Sequence, residues 1–486
     1  GAAEGEIRKR LLDKGLLDTI IGLPSNLFTN TGIPVVVMVL KKNRNIGDPV
    51  LVIDASRSFI KVGKQNVLEE KDIAKIVDTY SNRMEIPGYS HLATREEIID
   101  NDYNMNIPRY VESIDSEISH DVDAHILGGI PQKNIEELSV LNLSVPDILD
   151  NSLNPIRPGY VELINSIDDL TEEVLRDSRI VNKRKEVEIK SEEYVSKYWN
   201  LLRNVDGTTN ILQLRDEMLD EIKQLLSEFK FIDVYDGYQI IADIWKEALT
   251  HDIELIAASD FYMVARTREP NMVTKGTGKN KREEQDGWVG SIVPNVLIAE
   301  RLYTEELNEI KNKQSRVQEV DIELSELVEA AKVEDTDENN ALYEVIKKNE
   351  EDEPQDSFEN KTVKSELKNA RKGTTEYDLL KKVDELMAEK AMLGKAIKAE
   401  EKTLKEMVYD RIMSLTNEEI DGLVHEKWFG NVAADLVNLV TIPLKAELST
   451  LDMLNKRYAN TLSELDTEIR TLEETFETLM SEMVVE

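Results

Sequence analysis

"LFTNTGIPVVVMVLKK", residues 27–42, decides how this chain is read. The apolar run from Pro34 to Leu40, closed by Lys41 and Lys42, predicts a buried strand over 34–42. An aromatic residue, Phe28, precedes it on a polar turn made of Thr29, Asn30, Thr31 and Gly32. Working outward, "EGEIRKRLLDKGLL" (4–17) reads as an amphipathic helix with Ile7, Leu11 and Leu12 on one side. "DTIIGLP" (18–24) is a short strand stopped by Gly22 and Pro24, and "PVLVID" (49–54) is another. Asn43 to Asp48 reads as a hairpin-type connection between the strands 34–42 and 49–54, and residues 69–80 as a helix. The order is α/β in type, yet three short strands cannot form a doubly wound sheet covered on both faces. The segment reads as the back half of an α/β domain, so the strands that pair with it are expected upstream.

Composition limits the function classes. The chain has 486 residues, 96 acidic and 60 basic, for a formal charge of −36. Such a chain repels a polyanion as a whole, so any DNA contact is expected to be local or supplied by a basic partner. With no cysteine there are no disulfides and no thiolate metal sites. No apolar run approaches the roughly 18 residues of a bilayer span, and no signal-peptide pattern opens the chain; a cytoplasmic location without membrane contact is expected.

From about residue 113 the strand pattern gives way to long helical stretches, 161–195, 210–230 and 238–257. Residues 270–291 read as an exposed loop and 334–360 as an acidic, mobile break. The expected domains are 1–112 (α/β), 113–269 (helical), 270–360 (charged loops and helices) and 361–486 (coiled-coil-like helices).

The clearest periodicity lies at the C-terminal end. Alternate steps of four and three run from Leu444 through Leu448, Leu451, Asn455, Tyr458, Leu462, Leu465, Ile469, Leu472, Phe476 and Leu479 to Met483. That 3.5-residue spacing is a coiled-coil seam with one polar position, Asn455. A similar series runs from Leu379 to Met407, interrupted by Lys390 and Glu400. Two readings stand: a helical hairpin between these segments, or docking on helices of another subunit.

Other motifs are weaker. "KGTGKN" (275–280) lacks the Ser or Thr and the first glycine of a phosphate loop. His120, Asp123 and His125 do not complete a metal sphere, and Ser119 or Asp121 reads as a helix cap. "EDTDENNALYEVI" (334–346) lacks the glycine and final acid of a calcium loop. No metal site is expected. For Phe28, the simplest reading is a staple of the loop to the core.

Four stretches together resemble the modification (M) subunit of type I restriction-modification systems, an adenine-specific DNA methyltransferase. They are "AEGEIRKRLLDKGLLDTIIGLPSNLFTNTGIPVVVMVLKKN" (3–43), "VLVIDAS" (50–56), "EEIIDNDYNMNIPRYV" (96–111) and "LTNEEIDGLVHEKWFGNV" (415–432). The likeness is specific up to about residue 130 and again near 415–470, and weak between 160 and 400. It implies that Phe28 stacks on an adenine extruded from the duplex, with Asn30 and Arg109 as possible DNA contacts. It also implies S-adenosylmethionine as methyl donor. The partners it implies are a specificity subunit, a second M subunit, a restriction subunit and double-stranded DNA. The docking helices would present Leu451, Asn455, Tyr458, Leu462, Leu465 and Leu472.

The chain departs from the family in two motifs. It has no adjacent prolines, so no Asn-Pro-Pro-aromatic tetrapeptide, and its only Gly-x-Gly is at 276–278. No catalytic or cofactor-binding residue is therefore expected within it. The resemblance implies a C-terminal portion of an M subunit, inactive alone: the closing strands of a methyltransferase sheet, then a mostly helical domain ending in coiled-coil helices. A rival expectation is a non-catalytic acidic helical scaffold.

Overall fold

The computed structural model describes residues 2–29, 31–112, 118–275, 281–333, 337–350 and 353–483. The chain divides into two compact units, each discontinuous in sequence. The first comprises 1–202, 209–250 and 429–486, and the second 203–208 and 251–428.

In the first unit, helix α1 (Ala2–Asp13) leads into a four-stranded sheet of β1 (Leu17–Leu23), β2 (Val35–Leu40), β3 (Val50–Asp54) and β6 (Ser90–Ala93). The strand order is β2-β1-β3-β6. Strand β1 pairs antiparallel with β2, Leu23 opposite Val35, and parallel with β3, Thr19 opposite Leu51. The expected hairpin connection between 34–42 and 49–54 is therefore incorrect, because β1 lies between those two strands. Strands β1 and β3 are buried on both faces; β3 is an apolar run up to Asp54, whereas β1 buries Asp18 and Thr19 among its apolar residues.

Strand β2 does not match the expected core strand. Val36, Val37, Met38 and Leu40 are all exposed, and only β1 pairs with it. The apolar run specified a strand that belongs between layers, but among the described residues only Val39 packs against the neighbouring core, and Val36, Val37 and Met38 are left exposed. A small hairpin, β4 (Ile60–Val62) with β5 (Gln65–Val67), follows β3, and helices α2 (Glu70–Asn82) and α3 (Arg95–Asp100) flank β6. Thr94 caps α3, accepting from the Glu97 amide at 3.2 Å.

A second core of this unit joins residues 124–180 to the helix Ile442–Tyr458. Leu444, Leu448, Leu451, Leu454 and Tyr458 are buried in it. Glu447 accepts from the amides of Val140 at 2.9 Å and Leu141 at 2.8 Å, closing the start of the short helix Ser139–Ser144. The helical stretch expected over 161–195 begins with the strand Tyr160–Leu163 and breaks at Asp177, between the helices Ile167–Arg176 and Ser178–Leu202.

The second unit contains an antiparallel ribbon, Arg268–Lys275 with Arg282–Gly290, where the sequence reads as a loop. The tip of that ribbon, with most of "KGTGKN", lies outside the described residues. Charges along both strands hid the pairing, since a two-stranded ribbon wet on both faces has no apolar alternation to show. Residues 337–350 and 353–360, expected to be mobile, form a helix and a short hairpin around buried Leu342, Val345, Ile346 and Phe358.

The series 379–407 lies on the helix Thr375–Ile412, and its partner is the helix Thr304–Val333. The charges that interrupt its pattern form rungs to that partner: Lys390 reaches Asp321 at 2.5 Å and Glu400 reaches Lys313 at 2.7 Å. Among the described residues no helix is long and apolar enough to cross a membrane.

Candidate functional site

Phe28 sits just beyond the carboxyl end of β1. Pro24 ends that strand, and Asn26 turns the chain with a left-handed φ of 54°, a conformation that Asn tolerates. Two hydrogen bonds fix the turn from outside. Buried Asn66 in β5 donates from Nδ2 to the Ser25 carbonyl at 2.8 Å and from its amide to the Asn26 carbonyl at 3.1 Å. Phe28 follows this anchored turn and is 55% exposed. A residue stapling the loop to the core would be buried, and this ring is not. Asn30 lies outside the described residues.

Arg109 comes to the same end of the sheet by another route. It belongs to the 3-10 turn Ile107–Arg109, whose Ile107 packs directly over Gly22 of β1. A Cβ on Gly22 would stand 2.4 Å from Ile107 Cδ1, so glycine is what lets the turn approach. Arg109 is exposed and donates from Nη1 to Asn101 Oδ1 at 3.3 Å. The carboxyl ends of β1 and β3, parallel strands, thus gather three loops: the Phe28 turn, the Arg109 turn and the β4–β5 hairpin. In open α/β sheets this is where ligands bind.

At the other end of β1 from the Phe28 loop lies a charge cluster that the sequence reading missed. Asp18 in β1 is only 3% exposed and faces Lys41 at 3.1 Å, Arg44 at 3.3 Å and Arg83 at 3.3 Å. Burial lowers the Arg44 guanidinium from its ordinary value even beside Asp18. The cluster ties the segment after β2, and Arg83, to the start of β1. The signal in the sequence was a lone acid inside an apolar strand.

On β6, His91 lies between Glu85, 2.6 Å from Nδ1, and Glu97, 3.0 Å from Nε2. Burial pulls this imidazole down, but the hydrogen bonds to Glu97 and Glu85 outweigh it and raise its pKa above 6.5. The stabilisation from its charge is fully present below that ordinary value and is lost as pH rises through the raised one. His91→Gln is expected to cost about 1 kcal/mol near pH 5.5 and less near pH 8.5. Urea unfolding at the two pH values checks this; a difference independent of pH contradicts it.

The remaining candidate residues fall elsewhere. His120 and His125 hydrogen-bond each other at 2.8 Å, and no group of metal-binding residues occurs among the described residues. Asp121 caps the helix Val122–Leu127, as expected. The seam expected from Leu444 to Met483 is broken at residues 459–461. Leu451 and Tyr458 are buried in the unit's own core and Asn455 is half-buried, so these three are not a free docking face. Leu462, Leu465 and Leu472, on the terminal helix Leu462–Met483, are exposed.

Comparison with known proteins bears on the same segment. Residues 1–119 match the N-6 DNA methylase family. The chain is 34% identical over 164 residues to the type I restriction enzyme MpnII methylase subunit of Mycoplasma pneumoniae, covering 34% of this chain and 27% of that protein. It is 36% identical over 167 residues to the MjaVII methylase subunit of Methanocaldococcus jannaschii, covering 33% and 26%. A solved type I restriction-modification methyltransferase subunit from Streptococcus thermophilus is 52% identical, with 24% of each chain covered and a TM-score of 0.23. The chain spans about a quarter of the length of the curated relatives it matches. The likeness is thus to the N-6 DNA methylase family over residues 1–119, and to methylase subunits of type I restriction enzymes over about a third of the chain.

Proposed function

We propose that this chain is the C-terminal portion of a type I methylase subunit, which when complete transfers a methyl group from S-adenosylmethionine to adenine N6. The observation that carries this reading is the combination of Phe28 and β2. A ring exposed on a loop whose first turn is pinned by Asn66 suits stacking on an extruded base. A strand apolar and exposed on both faces suits the interior of a larger sheet. The chain carries no Asn-Pro-Pro-aromatic motif to accept from the adenine amine, so that chemistry is assigned to the part of the sheet lying against β2.

The role of Phe28 follows from the cost of extrusion. Taking adenine from the stack costs a few kcal/mol, and a fixed ring returns part of it. In the complete methylase, Phe28→Ala is expected to weaken extrusion by about 1–3 kcal/mol without loss of fold. Fluorescence of 2-aminopurine at the target position reports extrusion, and circular dichroism reports fold. A variant that unfolds assigns Phe28 to packing instead. Calorimetric titration of S-adenosylmethionine into this chain tests the reading as a whole: saturable micromolar binding overturns it.

The specificity subunit is proposed to receive the terminal helix. Its Leu462, Leu465, Ile469, Leu472, Phe476 and Leu479 form one exposed stripe at coiled-coil spacing. Acidic residues border that stripe, with Arg470 the one base from 462 to 483, so a basic helix suits it and a second copy does not. Double-stranded DNA, a second methylase subunit and a restriction subunit complete the proposed assembly.

A further inference from the structure

We infer that the β4–β5 hairpin is a second DNA-contacting element, its lysines on the phosphates beside the target base and its apolar tip against the groove. The inference rests on the methylase reading and adds a site to it.

Charge is the first argument. Acidic residues number 96 of 486, about one position in five, yet residues 55–68 contain none and carry Arg57, Lys61 and Lys64. This is the local inverse of a chain whose net charge is −36. The cations at the other end of this sheet, Lys41 and Arg44, are held by Asp18. The hairpin lysines are placed differently. Strands β4 and β5 are joined by the two-residue loop Gly63–Lys64, with Gly63 at φ 61°, and Lys61, Val62 and Lys64 are exposed at the tip. A lysine is a mobile point charge suited to a phosphate.

Apolar exposure is the second argument. Phe59, Ile60 and Val62 are exposed, Val62 by 56%, on strands only three residues long. Such a hairpin is marginal by itself, and exposed apolar side chains do nothing to stabilise it. Apolar side chains beside lysines suit DNA opened by base extrusion, where they pack against bases that have lost a neighbour.

Placement is the third. Asn66 of β5 makes the two hydrogen bonds that hold the Ser25–Asn26 turn, so hairpin and Phe28 loop are one mechanical piece. Whatever lies against Phe28 has this hairpin beside it.

The test uses the complete methylase assembled with its specificity subunit on a duplex containing the target adenine. Replacing Lys61 and Lys64 by Ala should lower the slope of log affinity against log salt by about 2, as two phosphate contacts require. An unchanged slope overturns the inference. A second measurement separates its failure from failure of the methylase reading. This chain has no cysteine, so in a complex whose other subunits and segments have been cleared of cysteine, Thr29→Cys and Lys64→Cys each provide a single thiol for a tethered iron chelate that cuts nearby DNA. Cuts from both positions, close to the target adenine, support the inference. Cuts from position 29 alone leave the methylase reading standing and overturn the hairpin site. No cuts from either overturn both, and cleavage of a protein subunit from position 64 assigns the hairpin to a protein interface.

Discussion

Asp18→Asn is expected to destabilise the first unit by about 3–5 kcal/mol, the cost of leaving a buried charge without its partner. Among the described residues Asp18 is the only carboxylate facing Arg44 and Arg83 at ion-pair distance, and the Arg44 side chain is almost wholly buried. Arg44 keeps its bonds to the carbonyls of Asp48 at 2.6 Å and Pro49 at 2.5 Å, but these supply no counter-charge. Hydrogen exchange at the amides of β1 and β3 measures the loss locally, without assuming that the whole chain unfolds in one step. Pairing Asp18→Leu with Arg44→Met should recover much of the stability, because apolar replacements of a buried ion pair are often neutral. A single substitution costing less than about 1 kcal/mol would place the cluster among surface ion pairs.

The second large effect lies in the other unit. Asp252 is 1% exposed and accepts from Lys427 Nζ at 2.6 Å and from the indole of Trp428 at 2.8 Å. Asp252→Leu leaves Lys427 with the Ile292 carbonyl, at 2.9 Å, and removes the acceptor for a fully buried indole N–H. The two losses together are expected to cost about 3–5 kcal/mol. Arg301→Ala, which breaks an exposed pair with Glu426 at 2.6 Å, serves as the control at under 1 kcal/mol. Hydrogen exchange along the helix Asn417–Phe429 distinguishes them. Equal protection in the two variants would refute the buried role of Asp252.

The fold of the first hundred residues was legible where local pattern and burial agree. The runs at 18–24 and 49–54 are rich in apolar residues, and they form the two strands buried on both faces. The run at 34–40 is more apolar still and forms a largely exposed edge. A hydrophobic run specifies that a strand should be covered, whereas coverage depends on what else is present. Pairing was illegible for a related reason. Adjacency in sequence suggested that 34–42 and 49–54 meet, but β1 is long and apolar enough to serve both, so it lies between them.

Of the candidate site, the sequence by itself determined the residue types: an aromatic on a polar turn, an acid-free stretch in an acidic chain, a 3.5-residue stripe at the C-terminal end. The tertiary structure decided which of them are available. It left Phe28 exposed and buried Leu451 and Tyr458 on the same stripe that leaves Leu462 and Leu465 in water. It joined residues 66 and 25 through one buried asparagine, and Gly22 to the turn of Arg109 through one close contact. Periodicity records which face of an element is apolar. Whether that face meets its own chain or a partner depends on contacts between residues hundreds of positions apart, which no local pattern encodes.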